Sequence, residues 1–412
     1  MKTYYIDNLN GNDTLDGLSP ETARKSYRDI ALTEGDSVLF KRGSFYRDKL
    51  HAVAHVSYGA YGDGEMPTFC GSFDVSLPEN WEKTETENVW KCTKPIIGDV
   101  GNIVYNEADC TATFRWNKEE LCSQGDFYDE RNCLGDRFKP ALDEKTLYVY
   151  SVGNPATVYS HIEAIGYHTR QLVDLRDGIS FDGLRFINSG VHALAGNGNN
   201  ITVRNCVIEN IGGCAWSKDL KIRFGNGFEI WAKGNDILIE NCTFKNVYDS
   251  CVTHQGPGHK TQPTENFVCR NCTFDTYGMA AFEYRDKLPI DSAFTGNTCL
   301  NAGCGFAMLG ETLPRKSEIW PQPMGHHIFM WRIPEATEGG NLVIKDNYFG
   351  PAPVGAAIYS IISAEAEAQT HINNNKYTKN DILLNRWGGE DFNDLNTYKA
   401  ATAQDRDSVY AD

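Results

Sequence analysis

The sequence predicts an all-β fold, a parallel β-helix or solenoid with a small β-rich insertion domain and a C-terminal cap. The main observation is a repeated phrase in which alternating apolar and polar residues run into Asn, then a small or apolar residue, then Phe, Ile or Tyr. The copies are ITVRNCVIENI (201–211), ILIENCTFKNV (237–247), FVCRNCTFDTY (267–277), AFTGNTCLNAG (293–303), LVIKDNYFGPA (342–352) and THINNNKYTKN (370–380). Such self-similarity indicates a solenoid.

The spacing of the Asn residues gives the size of one repeat. From Asn205 to Asn375 they are 36, 30, 26, 50 and 28 residues apart, and a weaker copy with Gly183 in the Asn place lies 22 residues earlier. A unit of roughly 22 to 30 residues is too short for a helical pair and fits one coil of a parallel β-helix. Since equivalent residues stack every ~4.8 Å, each Asn is expected to turn inward and hydrogen-bond its copies.

The cysteines and histidines do not indicate a metal site. Four cysteines of the repeated phrase are expected to be small apolar fillers of the interior: Cys206, Cys242, Cys272 and Cys299. The sequence has no pair of Cys-x-x-Cys motifs at zinc spacing. His326 and His327 are adjacent, so in a strand they point in opposite directions. We therefore expect no metal and no cofactor.

Composition restricts the classes of partner. The chain has 412 residues, 41% of them hydrophobic, so it can bury a large core, and its net charge is −16. The negative charge argues against nucleic acid or an anionic membrane as a partner. The first residues lack the apolar run of a secretory signal, and 13 cysteines suit reduced thiols, so we expect a cytoplasmic protein. A secreted protein whose signal had been removed would look the same, and the oligomeric state stays open.

Changes in the sequence pattern along the chain predict four structural regions. Residues 1–72 form an N-terminal cap and the first coils, and 73–160 form a β-rich insertion with strands at NVWKC and TLYVYS. Residues 161–385 form the main coils, and 386–412 form a C-terminal cap with helix-like spacing at 391–401. A cap is expected because the end of a solenoid is an unpaired strand edge, and Trp387 is its expected anchor.

Three early phrases carry a resemblance to a known group of proteins. GNDTLDGLSPETA (11–23), GDSVLFKRGSFYR (35–47) and YGAYGDGEMP (58–67) resemble the entry to right-handed parallel β-helix carbohydrate-active enzymes. This group includes glycoside hydrolases such as β-helix xylosidases and fucosidases, and related polysaccharide lyases. LCSQGDFYDE (121–130) with LYVYSVGNPATVY (147–159) resembles the small β-rich insertion of such proteins. The resemblance implies action on glycans, without indicating the substrate.

Stacking of successive coils predicts a catalytic column. Counted from the Phe of each phrase, Thr253 aligns with Glu283, and the shared Phe-Glu pair adds Glu229 on the preceding coil. Two carboxylates two coils apart are separated by ~2 × 4.8 Å, near the separation of acid and base in inverting glycosidases. Asp249, just before the middle strand, is a further candidate that would permit the closer, retaining arrangement, although it also suits a turn.

Neighbouring residues are candidates for substrate binding. His254 and Arg285 flank the column and would bind sugar or tune charge, and Trp231 is a possible stacking platform. Two long insertions, 212–226 and 310–340, are expected to form the walls of a groove. They supply the remaining candidates for substrate binding: Trp216, Glu311, Trp320, His326, His327 and Trp331.

These observations predict a glycoside hydrolase that cleaves oligosaccharides with paired carboxylates as acid and base or nucleophile. A cytoplasmic location would restrict it to short glycans, and loops would close one end of the groove, which favours exo action. The alternatives are a lyase or epimerase acting on uronic acid chains, for which Arg285 and Lys287 near Asp286 and Asp291 supply a positive centre, and a noncatalytic glycan-binding solenoid.

Overall fold

The chain forms a parallel β-helix built from three long sheets. The computed structural model describes residues 1–131, 146–167, 170–218, 221–256, 261–304, 324–380 and 383–411. From Gln171 onward the strands follow one another in the repeating order sheet C, sheet A, sheet B, so that each turn of the chain adds one strand to each sheet. Each of these sheets is parallel except at the last pair of sheet C.

Within the described ranges, sheets A and B have ten strands each and sheet C has nine. Sheet A comprises Thr3–Ile6, Ser37–Lys41, Ser57–Tyr61, Ser180–Asp182, Ile201–Arg204, Ile237–Glu240, Phe267–Arg270, Ser292–Thr295, Leu342–Lys345 and Thr370–Asn373. Sheet B comprises Phe45–Tyr46, Thr68–Cys70, Arg185–Ser189, Val207–Ile211, Thr243–Val247, Thr273–Tyr277, Thr298–Ala302, Tyr348–Phe349, Lys376–Tyr377 and Val409–Tyr410. Sheet C comprises Gln171–Leu175, His192–Gly196, Phe228–Ile230, Ser250–His254, Ala280–Arg285, His326–Trp331, Ile358–Ile361, Asn385–Trp387 and Glu390–Phe392.

The interior of the coils is one continuous apolar core. Equivalent side chains of successive coils lie directly above one another, as in the column Ile201, Ile237 and Phe267. The rings of Phe244 and Phe274 stack with their centroids 5.1 Å apart. Burying such a side chain contributes about 1.5–3 kcal/mol, so repetition of the apolar phrase stabilises each coil against the next.

The corner between sheets A and B divides the repeated Asn residues into two groups. Asn205, Asn241 and Asn271 are exposed and have φ angles of 50°, 54° and 55°. Asn tolerates this left-handed conformation, and Gly183, with φ 70°, takes the same place one coil earlier. For these three residues the expectation of an inward hydrogen-bonded ladder is wrong, because the turn itself determines the residue type.

The inward ladder exists one position later in the last coils. The backbone N–H of Asn297 donates to Asn347 Oδ1 at 2.9 Å, and the backbone N–H of Asn347 donates to Asn375 Oδ1 at 3.0 Å. Asn297 Oδ1 accepts from the backbone N–H of Cys272 at 2.9 Å across a separation of 25 residues. The step between these two coils is therefore 25 residues and not the 26 counted from the sequence.

The cysteines of the phrase fill the interior as expected. Cys206, Cys242 and Cys272 occupy the inward position that Asn takes in later coils, and all three are buried. Cys299 is buried too, but it lies in sheet B, in register with Phe274 and Phe349. The twelve cysteines within the described part of the chain are all free thiols.

A β-rich insertion and a hairpin extend from the coils. The insertion contains a five-stranded sheet (Thr113–Phe114, Asp126–Asp129, Leu147–Tyr150, Val89–Cys92, Trp81–Lys83) and a three-stranded sheet (Ser72–Asp74, Ile162–Gly166, Val100–Tyr105). The hairpin pairs Cys214–Ser217 with Ile222–Phe224. Short helices lie at Pro20–Thr22, Pro78–Asn80, Lys118–Glu120, Pro155–Val158, Ala364–Glu367 and Leu395–Thr402.

Buried Arg223 joins the hairpin to the insertion. Its guanidinium lies between the rings of Phe114 and Tyr248, 4.4 Å from each centroid. It donates to the carbonyl oxygen of Gly101 at 2.6 Å. Gly213 permits the close approach, since it has φ 108° and a Cβ there would lie 2.2 Å from the side chain of Asn102. The hairpin is therefore held against the insertion.

The C-terminal segment covers the end of the solenoid. The helix Leu395–Thr402 overlaps the predicted helical region (391–401) and ends one residue beyond it. It packs Tyr398 into the core, and Trp387 lies in the core as well. The side chain of Gln404 accepts from the backbone N–H of Ile372 at 2.9 Å and donates to the carbonyl oxygen of Thr370 at 3.0 Å. These bonds satisfy the free edge of the last strand of sheet A.

Candidate active site

The predicted carboxylate column lies on the outer face of sheet C. Glu229 pairs in register with Thr253, and Thr253 pairs with Glu283, which is the register predicted from the sequence. The residues that precede Thr253 and Glu283, namely Val252 and Phe282, belong to the apolar core. Since successive side chains of a strand point to opposite faces, the column faces outward.

Glu283 is held by donors from the coils on both sides. Ser250 Oγ donates to its Oε2 at 2.6 Å, and Trp331 Nε1 donates to its Oε1 at 2.8 Å. The side chain is almost fully buried, at 1% exposure. Both carboxyl oxygens therefore act as acceptors in a fixed orientation.

Glu229 has a different set of partners. Asn226 Nδ2 donates to Glu229 Oε2 at 2.7 Å, and His192 Nδ1 lies 3.0 Å from the same oxygen. The backbone N–H of Asn226 donates to that His192 nitrogen at 3.2 Å, so Nδ1 is already an acceptor. The 3.0 Å contact between Nδ1 and Oε2 therefore favours the protonated form of the Glu229 carboxyl group, whose O–H can share the Nδ1 lone pair with the Asn226 N–H.

The electrostatics of the pair agree with this assignment. Burial raises the pKa of Glu229 to about 7, with the charge of Glu283 adding to the rise and hydrogen bonding by Asn226 and the charge of Arg285 opposing it. Burial, assisted by the charge of Arg170, lowers the pKa of His192 to about 3. The imidazole is neutral at neutral pH, and Glu229 can carry a proton there.

Thr253 separates the two glutamates. Its hydroxyl oxygen is fully buried and has no hydrogen-bond partner in the described part of the chain. Most buried hydroxyls are hydrogen-bonded, so an unpartnered one between two carboxylates indicates a place where a ligand or water oxygen binds. The backbones of Glu229 and Glu283 are two strand spacings, or about 10 Å, apart.

Asp249 lies outside this column. It is buried at the corner where its strand begins, one residue before Ser250 and four before Thr253. Its backbone carbonyl accepts from the N–H of Met279 at 3.0 Å. The structure does not place it between Glu229 and Glu283, so the closer, retaining arrangement has no support from the backbone positions.

Two histidines predicted to bind substrate face the interior instead. His254 is in register with core residue Tyr284, with ring centroids 5.5 Å apart, and burial lowers its pKa to about 4. His327 contacts the hydroxyl of Tyr277, and its Nε2 lies 2.9 Å from the carbonyl oxygen of Gly350. These two predictions are corrected, because strand alternation and the corner between sheets B and C direct both side chains inward.

An aromatic wall adjoins Glu283 on the later coils. Phe329 is in register with Glu283, and its ring stacks on Trp331 at 5.6 Å. His326 stacks on Tyr359 at 4.3 Å, and its Nδ1 accepts from a backbone N–H at 3.0 Å. Trp331 and His326 thus lie beside the column, on the strand His326–Trp331 of sheet C and not in a long loop as predicted, and His326 is fully buried in this wall.

The other candidates occupy different positions around the column. Arg285 is in register with Trp331 and lies 5.4 Å from the centroid of its ring, and Trp231 contacts Arg170. Trp216 belongs to the hairpin that contacts the insertion, and Phe224 on the other strand of this hairpin lies 5.7 Å from the ring of His192. Trp320 and Glu311 lie outside the described residues.

Sequence reasoning missed the partners of the glutamates. His192 and Ser250 each belong to the coil before that of the glutamate they contact. Asn226 precedes Glu229 by three positions. Strict alternation places Ser250, three residues before Thr253, on the opposite face, so the strand pattern offered no signal for its contact with Glu283. The described ranges contain no group of three or more His, Cys, Asp or Glu residues that could hold a metal ion. None of the helices in those ranges is long and apolar enough to span a bilayer.

Comparisons with known proteins agree with this architecture. Residues 147–313 match a family profile described as a right handed beta helix region. The chain is similar in structure to a GH136 lacto-N-biosidase from Eubacterium ramulus (14% identity, TM-score 0.52, covering 94% of this chain and 62% of that one). It is also similar to XylC in complex with xylose (11% identity, TM-score 0.50, covering 92% and 62%).

The chain spans about three fifths of the length of each of these two proteins. No curated protein matches its sequence. At such low identity the similarity concerns the fold. The chain is a right-handed parallel β-helix, as its sequence predicted.

Proposed function

We propose that the protein is a glycoside hydrolase in which Glu229 is the general acid and Glu283 the general base. The observation that carries this proposal is the unlike environment of two carboxyl groups in one column. Glu229 Oε2 lies 3.0 Å from Nδ1 of His192 and burial raises the pKa of Glu229 to about 7, whereas both oxygens of Glu283 accept hydrogen bonds. Glycoside cleavage needs one carboxyl group to protonate the departing oxygen and a second to activate water.

The spacing favours inversion at the anomeric carbon. The two backbones are about 10 Å apart, and inverting enzymes separate their carboxyl groups by about 6.5–9.5 Å to leave room for a water molecule. The unpartnered hydroxyl of Thr253 lies between the two carboxyl groups and can bind that water or a sugar hydroxyl. In the proposed reaction the Glu229 proton moves to the glycosidic oxygen, and Glu283 takes a proton from the attacking water.

A carbohydrate substrate is supported by the similar structures, of which one is a lacto-N-biosidase and the other contains xylose. Aromatic side chains beside the carboxylates also suit a sugar, because an aromatic face packs against the apolar face of a pyranose ring. Trp331 lies next to Glu283 and is the candidate for this contact.

The test is a screen of 4-nitrophenyl glycosides and short oligosaccharides, followed by Glu283→Gln. We expect this variant to lose roughly 10³-fold in kcat with an unchanged circular dichroism spectrum, because the base is removed and the volume is kept. Glu240→Gln, on sheet A, is the matched control and is expected to keep full activity. Activity of Glu283→Gln within tenfold of the parent would reject the assignment.

A lyase acting on uronic acid chains is the second candidate, and Arg285 is the observation that favours it. Its Nε has no hydrogen-bond partner in the described part of the chain, and its charge reaches Glu229. A substrate carboxylate could bind there. Against this candidate, Lys287 pairs with Glu335 at 3.1 Å and Asp286 lies 3.3 Å from Arg332. Formation of an unsaturated, ultraviolet-absorbing product from polyuronates would favour the lyase.

A further inference from the structure

Arg170 and Trp231 meet across the outer face of sheet C. Arg170 precedes the strand Gln171–Leu175, whereas Trp231 follows Phe228–Ile230, two strands away and at the opposite strand end. The guanidinium carbon nonetheless lies 4.8 Å from the centroid of the indole ring. The two side chains must therefore reach toward each other over the strand between them, His192–Gly196.

The contact between Arg170 and Trp231 covers the part of the column that lies on the coils before Glu229. Ala195 is the residue in register with Glu229 on the intervening strand, and it is 0% exposed although its side chain is a single methyl group. The charge of Arg170 lowers the pKa of His192, which lies 3.0 Å from the Glu229 carboxyl group, and Trp231 comes two residues after Glu229, so both side chains lie near the acid. A glycan chain cannot pass Glu229 in this direction while the contact is made.

On the opposite side the column is filled as well. Phe329 and Tyr359 are the next residues in register after Glu283, and both are buried in the aromatic wall. The outer face of sheet C is thus covered by side chains before Glu229 and after Glu283, and the two carboxyl groups lie between these two covered parts.

We propose that Arg170 and Trp231 close the groove beside Glu229, so that only the terminal sugar of a glycan reaches the two glutamates and the enzyme acts from the chain end. This inference rests on the proposed function and deepens it. Arg170 is a specificity-determining residue in this proposal, since it acts by excluding longer chains.

Polar groups beyond the closure would hold a longer chain if it were opened. Asp174 continues the column two strands before Glu229, and its carboxylate accepts from Lys49 Nζ at 2.9 Å. Gln171 is buried, and its side-chain oxygen has no hydrogen-bond partner within the described ranges. Sugar hydroxyls are suitable partners for these groups.

The first test measures binding, so that it does not depend on turnover. In the Glu283→Gln background, Arg170→Met removes the guanidinium and keeps most of the side-chain stem. Titration calorimetry would use xylose to xylopentaose and glucose to cellopentaose. Without the second substitution we expect affinity to level off after one or two sugars. With it we expect the ratio of pentasaccharide to monosaccharide affinity to rise about tenfold, equivalent to about 1.4 kcal/mol.

The control is Arg406→Met, which removes an exposed arginine beside the sheet A residues Val343 and Lys345. It is expected to leave the chain-length dependence unchanged, and melting temperatures check that each variant is folded. Equal ratios in Arg170→Met and Arg406→Met, or no binding of either sugar series, would overturn the closure.

The second test uses the active enzyme on a reducing-end-labelled pentasaccharide. The parent should shorten it one unit at a time, whereas Arg170→Met should release products of two or more units early. Identical product series would overturn the closure. The proposed function fails on a different result, full activity of Glu283→Gln, so the two failures are distinguishable.

Discussion

Replacing Glu229 by Gln tests whether this carboxyl group is a general acid or only binds substrate. The amide cannot give up a proton, so kcat on unactivated glycosides should fall roughly 10²- to 10⁴-fold. A 4-nitrophenyl glycoside has a leaving group that departs without protonation, and its hydrolysis should fall much less. The assay is therefore the ratio of the two losses, measured on the same preparation with Glu240→Gln as the control.

The pH dependence gives the same substitution a second readout. Since burial raises the pKa of Glu229 to about 7, kcat/KM of the parent should decrease as pH rises above about 7, where the acid loses its proton. The variant has no such group, and this alkaline decrease should disappear. A decrease at the same pH in Glu229→Gln would show that another residue is responsible and would refute the assignment.

Folding stability responds to the same pKa. A carboxyl group whose pKa rises from 4.5 in the unfolded chain to about 7 in the folded protein disfavours folding once it ionises, by about 3 kcal/mol. The protonated carboxyl group therefore leaves the free energy of unfolding at its full value below about pH 4.5, and this contribution is lost as pH rises through 7. Glu229→Gln carries no charge at either pH, so its melting temperature relative to the parent should increase between pH 5 and pH 8. A constant difference would show that Glu229 is ionised in the folded protein over this range.

Two further substitutions test the support of the site and of the coils. Trp331→Phe removes the donor to Glu283 Oε1 and keeps an aromatic ring beside Phe329, so loss of a charged hydrogen bond of about 1.5–3 kcal/mol should lower kcat roughly 10- to 100-fold with little change in melting temperature. Asn347→Ala leaves the backbone N–H of Asn297 without its acceptor and should destabilise the protein by about 2–5 kcal/mol. The same change at exposed Asn271, which only has to adopt the left-handed turn, should cost about 1–2 kcal/mol. Equal losses of stability in denaturant unfolding would contradict the distinction between the buried ladder and the exposed turn.

The register of the coils was predictable because a parallel solenoid places equivalent residues of successive coils directly above one another. The alternating phrase fixes which residues face inward, and Phe marks the same place in successive coils. Counting from it therefore aligned Thr253 with Glu283 across 30 residues, as the structure has them. The Phe-Glu match to Glu229 also held across the long hairpin insertion, since the hairpin leaves the coil and returns at a corner without shifting the strand.

The position of the Asn residues was predicted less well, because two physical reasons place Asn at neighbouring positions. One is the left-handed backbone of the exposed turn, and the other is a buried amide ladder. A sequence such as THINNNKYTKN contains Asn at both positions, Asn374 and Asn375, and shows that they are distinct. Copies with a single Asn do not reveal which reason applies.

The orientation of His254 and His327 follows from the same alternation that places the glutamates. An outward Thr253 requires an inward His254, so the position next to an outward residue predicts an interior side chain. His327 lies near the start of its strand, where the corner still determines the direction of the side chain. Strand alternation was thus sufficient to reject His254, but only the coordinates place His327.

The chemical difference between the two glutamates arises from their neighbours one coil away. Glu283 accepts from Ser250 on the preceding coil and Trp331 on the following one, whereas Glu229 meets His192 on the preceding coil. Two strands with the same local phrase, Phe-Glu followed by Ile or Tyr, therefore give one carboxyl group beside a neutral imidazole and one that accepts two hydrogen bonds. In a solenoid, the role of a catalytic residue depends on residues about 30 to 50 positions away in sequence, because those residues are its nearest side-chain neighbours.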